Sequence, residues 1–461
     1  MTIDHGANMN HLEQLKDAVP ADIVVTDPDL MEGYRRDSAD LVPAGKPVAV
    51  LRPRCTAHVS AIMSWATRTN TIVVPRGAGT GLSGGATALD GCVVVSMEHM
   101  TAIRDFDVAN HTVVVEAGVV NADVGRAVAS AGLFYPPDPG SFEVSTIGGN
   151  LATNAGGMRC VKYGVTRNSV LGLEVVLADG RVLHTGGQTV KNVAGLDLTQ
   201  LFIGSEGALG IITSATLRLR PTPAATATFV ATFPTLETGG RALNAIFASG
   251  VTPSMLELMD NATINAVEDY RRMDLDREAA LLLIGQADGT DALAQVERMA
   301  TCCDEAGADL SVATADPTES DMFLQARRLA GWATMEQFPT VVEDVGVPRT
   351  RLAELLTTIA EISRDTGVRI ATVGHAGDGN LHPMLLLPDL GEDARRRAME
   401  TADRICAAAI ALGGTITGEH GVGELKREWL THQLDDISLD VQARIKRALD
   451  PALLLNPGRG F

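Results

Sequence analysis

Val74-Pro75-Arg76-Gly77-Ala78-Gly79-Thr80-Gly81-Leu82-Ser83-Gly84-Gly85-Ala86 holds within it Gly79-Thr80-Gly81-Leu82-Ser83-Gly84, a formal G-x-G-x-x-G. In a dinucleotide-binding βαβ unit that string follows a strand and opens a helix whose N-terminus holds a pyrophosphate. The strand is present as Thr71-Ile72-Val73-Val74. The helix is not. After Gly84-Gly85 come only Ala86-Thr87-Ala88-Leu89-Asp90-Gly91, and then Val93-Val94-Val95, which reads as another strand. So short a segment cannot make a crossover helix with its turns. Two strands joined by a broad glycine loop is the better reading. Successive glycines let backbone N–H groups converge on an anion as a nest. The loop therefore still points to a dinucleotide, by another route than the βαβ one. The alternative is a flexible turn, against which five glycines between positions 77 and 85 argue.

Two further segments share this composition. Pro136-Pro137-Asp138-Pro139-Gly140-Ser141 is a rigid turn cluster that leads into Ser145-Thr146-Ile147-Gly148-Gly149-Asn150-Leu151-Ala152-Thr153-Asn154-Ala155-Gly156-Gly157. The other is Gly204-Ser205-Glu206-Gly207-Ala208-Leu209-Gly210-Ile211-Ile212. Glycines allow close backbone approach, and Ser, Thr and Asn supply hydrogen bonds. Three such segments suit a large, extended ligand lying across one domain.

The 461 residues suit two or three domains, and 45% hydrophobic with 21% charged residues is an ordinary globular balance. A net charge of -19 repels phosphate backbones and makes nucleic acid an unsuitable partner. The N-terminus, MTIDHGANMNHLEQL, has no basic region followed by an apolar one, so no signal peptide is expected. No apolar run reaches the roughly 20 residues that span a bilayer. Cys55, Cys92, Cys160, Cys302, Cys303 and Cys406 form no C-x-x-C pair. They are expected as free thiols, without an iron–sulfur cluster or zinc ribbon. A cytoplasmic protein, or one peripheral at a membrane through a partner, is the expectation.

Residues 1–30 read as an N-terminal helix and lead-in. Strands are expected at Val48–Leu51, Ile72–Val74, Val93–Ser96, Thr112–Glu116, Glu174–Ala178, Val182–Thr185 and Ile211–Leu219, and helices at Val59–Arg68 and Asn121–Ala131. Pro221-Thr222-Pro223 reads as a domain boundary. Beyond it, strands are expected at Thr226–Phe233, Ala280–Gly285 and Arg369–Val373, and helices over 237–249, 290–306, 349–364 and 391–412. Long helices among few strands suit an antiparallel sheet covered on one face. A last helix over 437–450 stops at Pro451. The expected fold class is α+β. Its parts are a first domain over 1–220, a second over 221–425, and a closing segment over 426–461.

The second domain carries Gly374-His375-Ala376-Gly377-Asp378-Gly379-Asn380-Leu381-His382 and, further on, Thr417-Gly418-Glu419-His420-Gly421-Val422-Gly423. Imidazole with carboxylate is the ligand chemistry of zinc and similar divalent ions. Two histidines on a tight glycine loop after a strand, with a distant glutamate, could form an open three-ligand site. Ordinary loop histidines with satisfied hydrogen bonds are the other reading.

Taken as a set, P-R-G-A-G-T-G-L-S-G-G, P-P-D-P, S-T-I-G-G-N, N-A-G-G and G-S-E-G-A-L-G-I-I resemble the FAD-linked oxidases of the vanillyl-alcohol oxidase, or PCMH, type over about residues 35–460. That resemblance implies a PCMH-type FAD-binding domain of two α/β subdomains with FAD stretched between them, and a substrate (cap) domain with a helix-covered antiparallel sheet. It implies flavin contacts at Arg76, Gly77, Ala78, Gly79, Thr80, Gly81, Leu82 and Ser83. From the second segment it adds Asp138, Ser141, Thr146, Gly149, Asn150, Asn154 and Gly157, then Glu206 and Ile211, with Asn380 and Asn456 from further along. No His lies within residues 75–90, so FAD is expected to be non-covalent.

H-A-G-D-G-N-L-H and G-E-H-G-V-G resemble motifs of the D-lactate, glycolate and D-2-hydroxyglutarate dehydrogenases. The trailing Pro383 resembles the glycolate type. By that match His375, His382 and Glu419 are ligands of a divalent metal, with zinc the first candidate and manganese and iron the others. His420 is the base, a role suited to imidazole near neutrality. Arg327 is the carboxylate-binding arginine, with Arg328 the runner-up, since a guanidinium binds a carboxylate bidentately. The D-2-hydroxyglutarate enzymes hold a distal carboxylate with a Lys and an Asn at positions that here are Val342 and Met384. A second carboxylate buried against those side chains would stay unpaired, at several kcal/mol. Gly331, where those relatives carry Thr, points the same way. The expected activity is oxidation of a D-2-hydroxy monocarboxylate, D-lactate, glycolate or similar, to the 2-oxo acid. The alternative is a D-2-hydroxyglutarate dehydrogenase. Alkyl-dihydroxyacetone-phosphate synthases use the same scaffold without net oxidation, and the His-and-Glu set argues against them. The electron acceptor is expected to be a quinone, a cytochrome or an iron–sulfur partner protein, and a homodimer is compatible with the chain.

Overall fold

The computed structural model describes residues 12–15 and 18–460. Most of the expected N-terminal helix lies outside the described residues; residues 12–15 are helical. The chain divides into two compact units. The first comprises residues 1–156, 165–222 and 419–461, and the second residues 157–164 and 223–418. By contact, therefore, residues 419–425 go with the first unit and residues 157–164 with the second.

The first unit contains two main sheets. In one, Val24–Val25, Ala49–Leu51, Val93–Ser96 and Val73–Arg76 lie side by side in that order. Val73–Arg76 and Val93–Ser96 run parallel, with Val73 opposite Val93. Parallel neighbours need a crossover, ordinarily a helix. Here the crossover is the glycine loop itself, with no helix between residues 77 and 92. The preceding helix Thr56–Thr69 covers this sheet with Val59, Ile62, Met63 and Trp65, and stops at Asn70 in the left-handed conformation. The second sheet is antiparallel, in the order Ile103–Asp107, Thr112–Glu116, Ile211–Arg218, Val170–Val176, Val182–Gly186. Its apolar face packs on Val124, Val128, Ile147 and Leu151. Ile445 and Leu449, of the helix Asp436–Leu449, pack against the same core. Next to that helix, the backbone N–H of Val73 donates to Leu454 O and that of Asn456 to Val73 O. The closing residues thus add to the edge of the glycine-loop sheet.

The second unit is built on an antiparallel sheet in the order Leu310–Thr314, Thr226–Phe233, Leu281–Asp288, Met255–Asp260, Arg369–His375, Asn380–Leu386, Thr340–Val342. Four of these strands, and the short Val345–Gly346, go beyond those expected. The sheet is also covered on both faces rather than one. Helices Asn261–Tyr270 and Pro317–Gln337 pack on the face that presents Met255, Met259, Leu282 and Val373. On the opposite face Leu281 meets Gly239 of the helix Leu236–Ala248 so closely that a Cβ there would lie 2.3 Å from it. Leu281-Leu282-Leu283-Ile284 is fully buried, and such an unbroken apolar run is what two covered faces require. Among the described residues no helix is long and apolar enough to cross a membrane.

Candidate functional site

In the first unit the glycine loop is shaped by what lies against it. A Cβ on Gly77 would sit 2.4 Å from Thr146 Oγ1, so only glycine lets the loop approach the start of the helix Ile147–Thr153. Gly79 and Gly84 have φ of 77° and 82°. Arg76, at the strand end before the loop, is buried. Its Nη2 donates to Gly33 O, and its Nη1 has no partner among the described residues. Burial holds this guanidinium below its ordinary pKa. The Tyr135 hydroxyl, before the proline cluster, is likewise buried without a partner among the described residues. Ala78 is exposed, Thr80, Gly81 and Leu82 are half-buried, and Ser83 is buried.

The segment that follows Gly418 is laced to this loop within the same unit. Ser83 O accepts from the N–H groups of Glu424 and Leu425 at 2.9 and 3.1 Å, and Ser83 Oγ donates to His420 O at 3.1 Å. Asn456 Nδ2 donates to Gly85 O and to Glu206 O at 2.8 and 2.7 Å. Glu206 accepts from the N–H groups of Val422 and Gly423 at 2.7 and 2.8 Å. Glu419 lies against Gly156, where a Cβ would fall 2.3 Å from its Oε2, and His420 Nε2 is 3.9 Å from Glu419 Oε1. Of the other expected flavin contacts, Thr146 caps the helix over Gly149, Asn150 binds Ser145 and Asn121, and Asn154 accepts from the Arg167 N–H. Asp138 and Ser141 lie in the proline-cluster turn, and Ile211 opens its strand.

Glu206 has a consequence for pH. Burial pushes its carboxyl up to about 7, against the opposing pull of the two N–H groups. The folded protein then holds this proton to higher pH than the unfolded chain does. The stabilising contribution is full below about pH 4.5 and is lost as the pH climbs to about 7. A shift of this size corresponds to roughly 3 kcal/mol. Glu206→Gln cannot ionise, so its stability relative to wild type is expected to rise by about that amount across this window and then level off. Thermal unfolding of both proteins between about pH 4 and 8 measures it; a constant gap would remove Glu206 from the pH dependence.

The second unit presents the histidine motif as a hairpin rather than a loop. His375 ends one strand and pairs with Asn380 of the next, and His382 pairs with Val373. With the two-residue repeat of a strand, His375, Asn380 and His382 share one face. The two imidazoles meet edge to face, 5.1 Å between centroids. The neighbouring strand pairs Leu258 with Gly374 and Met259 with Val373, which carries Glu257 opposite His375. Glu257 is fully buried, and its two oxygens lie 2.8 and 3.0 Å from His375 Nδ1. Its Oε2 is also 2.8 Å from Arg327 Nε, an ion pair set off the hydrogen-bond direction. Arg327 comes from the long helix Pro317–Gln337, started by Pro317 behind an Asp316 cap. Arg328 points elsewhere and pairs with Asp321 on the exposed side. Val342 pairs with Met384 two residues beyond His382, so both apolar side chains continue the histidine face.

Asp344 is the other organiser of this unit. Its Oδ1 accepts from Asn380 Nδ2 at 2.7 Å, and its Oδ2 from Thr417 Oγ1 and the Gly418 N–H at 2.7 and 2.8 Å. It thereby fixes the residues that immediately precede Glu419 in the chain. Asn380 and Gly157, expected to touch flavin, belong to the second unit. The Asn380 amide nitrogen binds Asp344 and Val345 O there. Neither Glu257 nor Asp344 was assigned a role from the sequence. The available signal was an acid inside an otherwise apolar run, Met255-Leu256-Glu257-Leu258-Met259.

Both donor sets fit their groups. Buried polar atoms of Arg76, at the start of the glycine loop, and of Tyr135 have no partner among the described residues and suit a polar cofactor in the first unit. Two adjacent imidazoles, one backed by a buried carboxylate on Nδ1, have the form of histidine metal ligands with their supporting acceptor. Among the described residues the six cysteines form no disulfide; burial pushes the Cys92 and Cys303 thiols up to about 12 and leaves them unreactive.

Comparison with known proteins matches residues 222–459 to the family model "FAD linked oxidases, C-terminal domain" and residues 47–186 to "FAD binding domain". The chain is 42% identical to the glycolate oxidase subunit GlcD of Bacillus subtilis, over 90% of this chain and 89% of that protein. It is 32% identical to a D-lactate dehydrogenase of Anaerostipes hadrus, over 97% of this chain and 96% of that one. Among solved structures, p-cresol methylhydroxylase superposes with a TM-score of 0.82 at 16% identity, covering 100% of this chain and 98% of that chain, which shows a common fold.

Proposed function

This chain belongs to the FAD-linked oxidases, and from that premise we propose that it is an FAD-dependent dehydrogenase that oxidises a small D-2-hydroxy monocarboxylate, such as D-lactate or glycolate, to the 2-oxo acid. The observation that carries the reading is the arrangement of His375, His382 and Glu257 on one sheet face, beside Val342 and Met384, with Arg327 reaching Glu257 from the helix Pro317–Gln337. Relatives named glycolate oxidase subunit and D-lactate dehydrogenase support the substrate class.

Arg327 binds the substrate carboxylate through its guanidinium. His420 takes the hydroxyl proton. Val342 and Met384 leave no partner for a second carboxylate, so the substrate tail is short or apolar. FAD, held non-covalently by the glycine segments and the closing residues, supplies the acceptor for the hydride from the α-carbon. A divalent cation held by His375, His382 and Glu419, zinc before manganese or iron, supplies Lewis acidity toward the substrate hydroxyl. The terminal acceptor is a separate quinone, cytochrome or iron–sulfur protein.

Anaerobic bleaching of the flavin with D- and L-lactate, glycolate, D-2-hydroxybutyrate and D-2-hydroxyglutarate, before and after chelation, tests the reading. Rapid bleaching by a D-monocarboxylate, lost on chelation and regained with zinc, is the expected result. Bleaching by D-2-hydroxyglutarate alone would overturn the argument from Val342 and Met384. Bleaching by none of them would overturn the activity.

A further inference from the structure

Glu257 joins two groups that the proposed reaction uses separately. Its fully buried carboxylate contacts His375 Nδ1 through both oxygens and Arg327 Nε through one. A buried carboxylate is tolerated only when paired, and here one guanidinium and one imidazole N–H share it. Building on the reading above, we propose that Glu257 is a positioning residue that locks the metal-ligating face of His375 and the carboxylate-binding face of Arg327 to one another.

Two consequences follow from the chemistry of an ionised carboxylate, which only accepts. His375 is held with its proton on Nδ1, so the lone pair is on Nε2, the nitrogen suited to a cation. Arg327 turns its Nε side to Glu257 and offers a substrate carboxylate its two terminal Nη groups. Because both groups hang on one carboxylate, neither moves independently. A 2-hydroxy acid carries its carboxylate and hydroxyl on adjacent carbons, and a fixed span between arginine and ligand nitrogen suits that class.

Glu257→Gln keeps the shape and removes the shared acceptor. With its oxygen toward Arg327, the amide nitrogen faces His375 Nδ1 and drives the imidazole to the tautomer protonated on Nε2. With its oxygen toward His375, the amide nitrogen faces the guanidinium. The test uses FAD-loaded, chelator-treated protein with 15N-labelled histidine, assigned through His375→Gln. Wild type is expected to show His375 protonated on Nδ1, and Glu257→Gln a switched or averaged tautomer. Arg327→Gln is expected to shift the His375 signals although no hydrogen bond or ion pair joins Arg327 to a histidine among the described residues. Zinc affinity by calorimetry is expected to fall at least about tenfold in Glu257→Gln. The effect of Arg327→Gln on zinc affinity should largely disappear in the Glu257→Gln background, as coupled residues require.

Unchanged His375 signals and zinc affinity in Glu257→Gln would overturn the proposal, as would strictly additive effects of the two substitutions. If wild type binds no zinc, the metal-dependent reading fails, and the tautomer comparison alone still decides the role of Glu257. If Glu257→Gln does not retain FAD, the His375 signals of Arg327→Gln decide it.

Discussion

His420→Ala is expected to keep its FAD and slow flavin reduction by substrate by on the order of 100-fold or more, the usual contribution of a positioned base. The hydroxyl of a 2-hydroxy acid is far too weak an acid to lose its proton unaided as the α-carbon gives up hydride. The structure holds His420 from its backbone side: its carbonyl accepts from Ser83, and Glu424 and Leu425 are tied to the Ser83 carbonyl. Truncating the imidazole leaves those tethers, so fold and cofactor content should survive and the loss should fall on the chemical step. Rapid-mixing absorbance under anaerobic conditions reads it directly, with FAD content as the control. A variant that bleaches its flavin at the wild-type rate would remove His420 from the mechanism.

The second large effect is structural. Gly423 has φ of 53°, and a Cβ there would lie 2.0 Å from the Ser83 carbonyl oxygen. Gly423→Ala therefore meets backbone, which cannot swing aside as a side chain can. Relieving the clash means lifting residues 421–425 off the glycine loop. That breaks the Ser83 links to Glu424 and Leu425 and the Glu206 link to the Gly423 N–H. Strain of about 1–3 kcal/mol and lost buried hydrogen bonds at about 1 kcal/mol each point to a cost of several kcal/mol. The variant is expected to be isolated with most of its FAD missing and a clearly lower melting temperature. Gly413→Ala is the control, since Gly413 has φ of 76° and nothing within 4 Å. It bears only the conformational cost, on the order of 1 kcal/mol. Equal behaviour of the two variants would show that positive φ, not the Ser83 contact, sets the result.

The sequence was readable where local pattern and final environment agree. Val93–Ser96, Thr112–Glu116 and Thr226–Phe233 occur with the bounds their apolar β-branched runs indicate. The missing crossover helix was legible too, because chain length alone forbids it. Asn380–Leu386 was not legible as a strand. It carries Asn and Pro, both poor strand formers, and forms because partners on both sides pair with it. That same mistake turned a two-stranded histidine hairpin into a loop. The helix Pro317–Gln337 escaped because much of its buried surface is alanine and hydroxyl side chains, Ala326, Ala330, Ala333 and Thr334, which give weak periodicity. At the site, motif chemistry pointed to His375, His382 and Arg327. Glu257 is tied to His375 by 118 positions of sequence separation and to both groups by strand register, which no local window contains.

The glycine-loop sheet takes its edge from Leu454 and Asn456, and its loop is tied down by Glu424 and Leu425. A ribosome synthesises that loop before the bulk of the second unit and these residues after it. The nascent first unit therefore keeps its glycine loop untethered until the inserted second unit has been made. Fastening the loop is thus a step that follows synthesis of the second unit, and until then the nascent chain exposes unfinished surface that is prone to aggregate.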